Sequence, residues 1–334
     1  MVGIVLLADL LELVTSDTFV QCLITGTVIG MLYALIALGY TMVYGIVELI
    51  NFAHGDLFML GTFFALTLLT ILGFNSAGDP PGTVMAVIAM LLMLTLVPTF
   101  TALVNVGIDR SVYRSLRNAP KLAPLVSAIG VSFVLMNIGL FWSALLPDSG
   151  RPVAAAADRN FPTLIPATNL LSAESGLRFT YRDLLVVAVT VPIMITLTLL
   201  VKYTRMGQAM RATAQNPTAA RLMGINVDRV IAATFLIGGA LAGFASVVYG
   251  LTIGTISYQV GYQNGLYAFT AAVLGGIGNI PGAVLGGLVI GLVRSFGSGY
   301  VSEQWTSALV FVILIVILTF RPTGLLGART REKV

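Results

Sequence analysis

Charge, histidine and cysteine are all scarce in this sequence. Of its 334 residues only 10% are charged, against the roughly 25% usual in a soluble domain, and the shortage excludes a soluble globular class. The single cysteine, Cys22, excludes an intrachain disulfide and falls inside an apolar stretch, where it reads as a small packing residue. The single histidine, His54, argues against a metal site, which ordinarily gathers several His, Cys or carboxylate ligands. No GxxxxGK[ST] loop, no HExxH motif and no Ser, His and Asp arrangement is present. ATP binding through a phosphate loop and hydrolytic catalysis are therefore not expected of this chain, and neither is any bound cofactor or metal. GGIGNIPG misses the GxGxxG pattern because Pro281 stands where its last glycine belongs and no strand precedes it. Basic residues are also missing from the start, MVGIVLLADLLELVTSDTF, which carries Asp9, Glu12 and Asp17 instead. A secretory signal needs a basic n-region, so residues 1–18 read as a retained amphipathic segment lying on a membrane surface, with Leu6, Leu7, Leu10, Leu11, Leu13 and Val14 near helical spacing.

What the sequence has in abundance is apolar length. Hydrophobic residues make up 57% of it and the mean hydropathy is +0.96. About 20 mainly apolar residues cross a bilayer as a helix, and such stretches occur at about 19–46, 51–72, 83–107, 122–146, 183–201, 231–253, 266–293 and 304–320. The expected fold is an all-α polytopic membrane protein with roughly eight transmembrane segments, some of them discontinuous or re-entrant, filling residues 19–320. The net charge of +4 does not point to nucleic acid. Its basic residues sit between apolar segments, as the positive-inside rule requires.

Three regions are rich in Lys and Arg: Arg110, Arg114, Arg117 and Lys121; the loop 202–229; and the tail 321–334, with Arg321, Arg329, Arg331 and Lys333. These are expected in the cytoplasm. The loop 147–182 balances its arginines against Asp148, Asp158 and Glu174 and is separated from each neighbouring basic region by one apolar segment, which places it outside. The chain must then cross an even number of times between Arg229 and Arg321, although three apolar segments lie there. The segment 266–293 resolves the parity if it breaks into two half-helices at GGIGNIPG, residues 275–282. Backbone freed inside a membrane is buried in protein or lines a cavity, and discontinuous helices build many transporter sites. A second interruption, NFAHGD at 51–56, places Asn, His, Gly and Asp in an apolar region. His54 there either bonds freed backbone or sits in a cytoplasmic loop, and Glu48 and Asp56 either line a pathway or mark a membrane interface.

Glycines recur four apart at Gly26 and Gly30, Gly239 and Gly243, Gly278, Gly282 and Gly286, and Gly287 and Gly291. That spacing stacks them on one helix face and reads first as close helix packing. Within 202–229 a short helix is expected, with Asn216 as its cap, Pro217 at its first position and Gly224 just past its end. Leu222 and Met223 then form an apolar tip on a cytoplasmic helix, as a docking element for another protein would.

Three long motifs carry a family resemblance: YALIALGYTMVYGIVELINFAHGDLFMLG (33–61), TRMGQAMRATAQNPTAARLMGINVDRVIAATF (204–235) and AFTAAVLGGIGNIPGAVLGG (268–287). In this order they resemble the permeases of branched-chain amino-acid ABC importers, the LivH type, over most of the chain. The resemblance implies a multi-pass subunit of the bacterial inner membrane. Its implied partners are a second related permease, two cytoplasmic ATPase subunits that bind the ATP, and an extracytoplasmic substrate-binding protein. It implies that Asn216, Pro217, Ala220, Leu222, Gly224 and Ile225 contact an ATPase, and that Asn51, His54, Gly55, Gly275, Gly276 and Gly278 lie near the translocation path. One departure is that family members often carry an acidic pair before the coupling segment, where this chain has Gln215 and Asn216. Urea and short-amide permeases resemble it as well; a stand-alone secondary transporter or channel and a structural scaffold are the readings from other classes.

Overall fold

The computed structural model describes residues 17–74, 82–117, 119–120, 122–145, 154, 156–171 and 176–327. Residues 1–16 of the amphipathic segment, and Lys121, Asp148, Arg151, Glu174, Arg329, Arg331 and Lys333 of the charged regions, lie outside them.

The helices are α1 (Asp17–Val47), α2 (Ala53–Ile71), α3 (Thr83–Ile108), α4 (Leu122–Leu145), α5 (Tyr181–Tyr203), α6 (Arg205–Gln215), α7 (Pro217–Leu222), α8 (Val227–Ile253), α9 (Val260–Gly275), α10 (Ile280–Phe296) and α11 (Glu303–Phe320). Among the described residues eight helical spans are long and apolar enough to cross a membrane, and α9, at 16 residues, is not one of them. The starts follow from local chemistry. Thr180 and Asp183 form a reciprocal capping box on α5. Thr204, Asn216, Asn226 and Asn279 each accept a backbone N–H at the head of α6, α7, α8 and α10. Hydroxyls within the spans fold back onto the preceding turn, as Thr234 does onto the Val230 carbonyl at 2.9 Å and Thr101 onto that of Val97, so few polar groups meet lipid.

The basic stretch after the third apolar segment is not a loop from residue 108. The helix runs on through a π-helical turn, Asp109–Tyr113, and a last turn, Arg114–Leu116. Buried Asp109 takes two bonds from Arg117, at 2.8 and 3.0 Å, and Arg117 also donates to Asp228 at the head of α8 at 2.5 Å. This ion-paired group fastens α3 to α8.

A two-stranded antiparallel ribbon joins β1 (Arg159–Asn160) to β2 (Thr255–Ile256) and marks one end of the bundle. The arginines after α3 and those of α6 and α7 mark the other, the basic end. At the ribbon end Gln21 exchanges hydrogen bonds with the Arg178 backbone at 2.7 and 3.1 Å, which fixes the start of α1. The most extensive helix pair is α1 against α10, followed by α3 against α8. Glycine makes both possible. A Cβ on Gly30 would lie 2.8 Å from the Leu288 Cα, and one on Gly239 2.6 Å from the Thr101 carbonyl oxygen. The packing reading of the four-residue glycine spacings therefore holds on the helices, whereas Gly278 lies between Gly275 and Ile280, off any helix face. α4, α5 and α11 form an outer layer, with large apolar side chains such as Phe133, Phe141, Ile195 and Ile315 exposed.

The two interruptions differ from expectation in position. The apolar segment at 266–293 does divide at GGIGNIPG, but its first half begins at Val260 and its break lies at the basic end of the bundle. There the backbone freed at the break is taken up by the tail after α11: Leu325 N–H donates to the Leu274 carbonyl at 2.8 Å, Leu326 N–H to that of Gly275 at 3.0 Å, and the Asn279 side chain to that of Leu326 at 2.7 Å. Gly276 and Gly278 hold φ of 102° and 90°, a region open to glycine. The early break is Glu48–Phe52 rather than NFAHGD, with Glu48 in the left-handed region at φ 52°. His54, Gly55 and Asp56 already belong to the first turn of α2. That turn sits deep, because Asp56 bonds Ser132, which lies about 15 Å along α4 from its start at 1.5 Å per residue.

Candidate functional site

The first turn of α2 gathers a polar cluster inside the bundle. Asn51, His54 and Asp56 are each at most 2% exposed. Asn51 accepts a hydrogen bond from the Tyr113 hydroxyl at 2.8 Å, and the Tyr113 ring packs on Phe235 with centroids 5.6 Å apart. The His54 ring meets Tyr40 edge-on at 4.8 Å and occupies the space left by Gly39, where any Cβ would collide with Nε2. The buried His54 ring has the Ile36 backbone within hydrogen-bonding reach and no side-chain partner. Gly55 brings α2 onto α9, since a Cβ there would lie 2.5 Å from the Gly261 carbonyl oxygen and 2.9 Å from the Gly265 Cα. Asp56 Oδ2 accepts from the Ser132 hydroxyl, while its buried Oδ1 has no partner.

A cavity of about 290 Å³ opens beside this turn, between α2, α4 and α9. Tyr40, Phe52, Asp56, Ser132, Phe133 and Phe269 are among its walls. A second cavity, of about 240 Å³, lies toward the ribbon end with Tyr33, Tyr249, Asn264, Arg294 and Glu303 in its lining. Arg294 donates to the Tyr33 hydroxyl and to Glu303 at 3.3 Å, and its guanidinium stands 5.9 and 5.2 Å from the Tyr33 and Tyr267 ring centroids. Its charge is thus paired and stacked.

At the basic end α6 and α7 project as a helical hairpin. Asn216 caps α7 by accepting from Ala219 N–H at 3.0 Å, Pro217 opens it, and Gly224 follows it at φ 81°. Leu222 and Met223 are 84% and 82% exposed. Two apolar side chains held clear of the protein by a capped helix cost solvation that only a partner recovers. Asn216, Pro217 and Gly224 share this exposed side, and Ile225 is half-buried. Ala220 is different. It is buried against the bundle, because the opposite face of a one-and-a-half-turn helix has to pack somewhere, so its side chain does not reach a partner. Replacing Asn216 with Ala removes the only side-chain cap of a six-residue helix, worth about 1 kcal/mol. Amide hydrogen exchange across 219–223 is expected to accelerate roughly fivefold, with α8 unchanged; equal acceleration in α8 would mean that the cap supports more than the tip.

Of the sequence-assigned path residues, Asn51, His54 and Gly55 come together around α2, whereas Gly275, Gly276 and Gly278 stand apart at the basic end with Gly45 and the tail. Sequence reasoning missed Ser132, Tyr40 and Tyr113 as partners of the cluster, and it missed Arg294. An arginine directly after a long apolar run was the one available signal for the last.

A bundle of apolar helices that buries a polar cluster at its middle and holds a capped, bare-tipped helix clear of one end defines an integral membrane protein of the transport class. The chain belongs to the branched-chain amino acid transport system permease component family, which it matches over residues 22–318. It is 40% identical over 318 residues, 95% of this chain and 98% of the relative, to the high-affinity branched-chain amino acid transport system permease protein BraD of Pseudomonas aeruginosa. It is 38% identical over 316 residues, again 95% of this chain and 98% of the relative, to the permease protein LivH of the corresponding high-affinity system of Escherichia coli K12. A probable branched-chain amino acid transport permease of Methanocaldococcus jannaschii is 26% identical over 333 residues, covering 95% of this chain and 96% of the relative.

Proposed function

We propose that this chain is the membrane-spanning permease subunit of an ATP-driven importer in the bacterial inner membrane that carries leucine, isoleucine and valine into the cell. The observation that carries the reading is the α6–α7 hairpin with Leu222 and Met223 bare, on a chain similar over nearly its whole length to permeases of high-affinity branched-chain amino acid systems. A permease of this kind needs an engine, and the bare tip is where one docks. The partners are two cytoplasmic ATPase subunits that hold the ATP, a second related permease and an extracytoplasmic binding protein, with lipid around the outer helices. The basic end is cytoplasmic under the positive-inside rule, which puts the β1–β2 ribbon and the 147–182 loop outside, where a binding protein delivers its load.

Transport proceeds by alternating access. ATP draws the ATPases together, α7 passes that motion to α6 and α8, and the bundle changes the side to which its cavity opens. The buried polar cluster at the start of α2 belongs to the path, with Asn51, His54 and Gly55 at its wall. Gly275, Gly276 and Gly278 act as a hinge-like turn where the tail meets the break, flanking the cytoplasmic mouth.

The test is co-purification of the tagged chain in mild detergent, followed by ATPase assay with leucine-loaded binding protein. A second permease and two ATPase chains, with hydrolysis stimulated by the loaded binding protein, is the expected result. A chain that purifies alone and moves leucine in liposomes without ATP would make it a secondary transporter, and stimulation by a urea-loaded rather than a leucine-loaded binding protein would reassign the substrate.

A further inference from the structure

We propose that Asp56 is the receptor for the substrate's ammonium group within the membrane, at the floor of the cavity between α2, α4 and α9. This inference rests on the amino-acid import reading above and deepens it. A carboxylate 2% exposed inside an apolar bundle is costly unless its oxygens are satisfied. Ser132 serves Oδ2, and Oδ1 has no partner. The unfilled acceptor packs against Gly261, where a Cβ would stand 2.8 Å from Oδ1, and it is enclosed there, so a solute reaches it as α9 yields, with only a bare glycine in the way. Gly261 and Gly265 both line the cavity and leave room in it. The positive end of the α2 dipole supports the charged carboxylate in its first turn.

The rest of the cavity suits a branched aliphatic side chain. Phe52, Phe133, Met136 and Phe269 line it, and about 290 Å³ lies at the small end of ligand pockets, the scale of one amino acid. No basic residue is among its lining residues, so the substrate carboxylate stays at the mouth. The mouth itself does not suit lipid. Gln259, just before α9, and Tyr262 and Gln263 in its first turn are exposed, polar side chains poorly suited to acyl chains.

The experiment uses the complete importer in proteoliposomes with its binding protein. Asp56→Asn is expected to lower leucine uptake at least tenfold while co-purification with the ATPases persists, and Asp56→Glu is expected to recover part of the loss. An assembled Asp56→Asn importer with wild-type uptake overturns the proposal. Because Asp56→Asn can also disturb folding, a second measurement keeps the carboxylate. In a Cys22→Ser background, Phe133→Cys places a thiol at the cavity wall. Relative to the ratio of their rates with a free thiol in solution, a cationic trimethylammonium-ethyl methanethiosulfonate is expected to gain at least fivefold over the anionic sulfonatoethyl reagent, and leucine is expected to slow the reaction. The free-thiol ratio unchanged at this site, or no protection by leucine, overturns the assignment. A wild-type importer that takes up no leucine overturns the import reading, and that failure is distinguishable because it precedes any substitution.

Discussion

Gly287→Leu is expected to prevent recovery of a folded permease, whereas Gly130→Leu leaves it intact. Both replacements add the same side chain to a membrane helix, and the difference lies in what the new carbons meet. A Cβ on Gly287 would lie 2.5 Å from the Ala34 nitrogen, 2.6 Å from its Cα and 2.7 Å from its Cβ, so it strikes backbone that cannot rotate away. At Gly130, on α4, there is nothing within 4 Å. Lipid is as apolar as the leucine side chain, so helix association in a membrane depends on close packing rather than on hydrophobic transfer. Forcing α1 from α10 gives up dispersion along the most extensive helix pair of the fold. The cost of over-packing one site runs to about 1–3 kcal/mol, and here the rest of the seam is lost with it. Gly291, whose Cβ would collide with Gly30, and Gly26, whose Cβ would lie 2.9 Å from the Leu292 Cα, belong to the same seam. Size-exclusion profiles and thermal midpoints in mild detergent provide the test. Gly287→Leu should give aggregate or a strongly lowered midpoint, and Gly130→Leu a profile like the parent's. Matching profiles for the two variants would show that the α1–α10 seam does not hold the fold together.

The glycine faces were legible in the sequence because four-residue spacing is a local property, and so were the eight apolar spans and the cap, proline and glycine of α7, but not which helix each face meets. What escaped was everything decided by partners distant in the chain. The division at GGIGNIPG was visible, but its depth was not, because depth depends on Leu325 and Leu326 returning to Leu274 and Gly275. The continuation of α3 past residue 108 depends on Asp109 and Arg117 reaching Asp228. NFAHGD was noticed for its polar residues, yet the bond from Ser132 that fixes the depth of Asp56 spans 76 positions, and no period or spacing encodes it. The burial of Ala220, which the resemblance groups with the ATPase contacts, is hidden for a simpler reason. Six residues hold fewer than two turns, too few for a periodicity to say which side is outward.

The tip of that same helix carries the second large effect. Leu222→Asp combined with Met223→Asp is expected to abolish ATPase association, weakening it by at least about 30-fold and reducing leucine uptake to background. Neither side chain packs on the rest of the chain, at 84% and 82% exposure, so the fold has little to lose and the thermal midpoint should hold within about 0.5 kcal/mol of the parent's stability. An interface anchor truncated at the centre of a docking patch costs about 2 kcal/mol or more, which is the 30-fold. An aspartate does worse than a truncation, since its charge has to be desolvated without a partner. The surrounding residues set the direction of the tip. Gly224 turns the chain at φ 81°, so Gly224→Ala, strained there by about 1 kcal/mol, should weaken association less than the double aspartate and should do so by re-aiming the tip. Gln215 and Asn216 supply no acidic pair in front of it, so the binding is expected to depend weakly on salt, as an apolar contact does. Pull-down of the ATPase on the tagged permease at two ionic strengths, alongside leucine uptake, measures all of this. If the double aspartate variant still captures the ATPase and drives uptake, the engine docks elsewhere on the basic end, and the ion-paired junction of Arg117, Asp109 and Asp228 becomes the next surface to test.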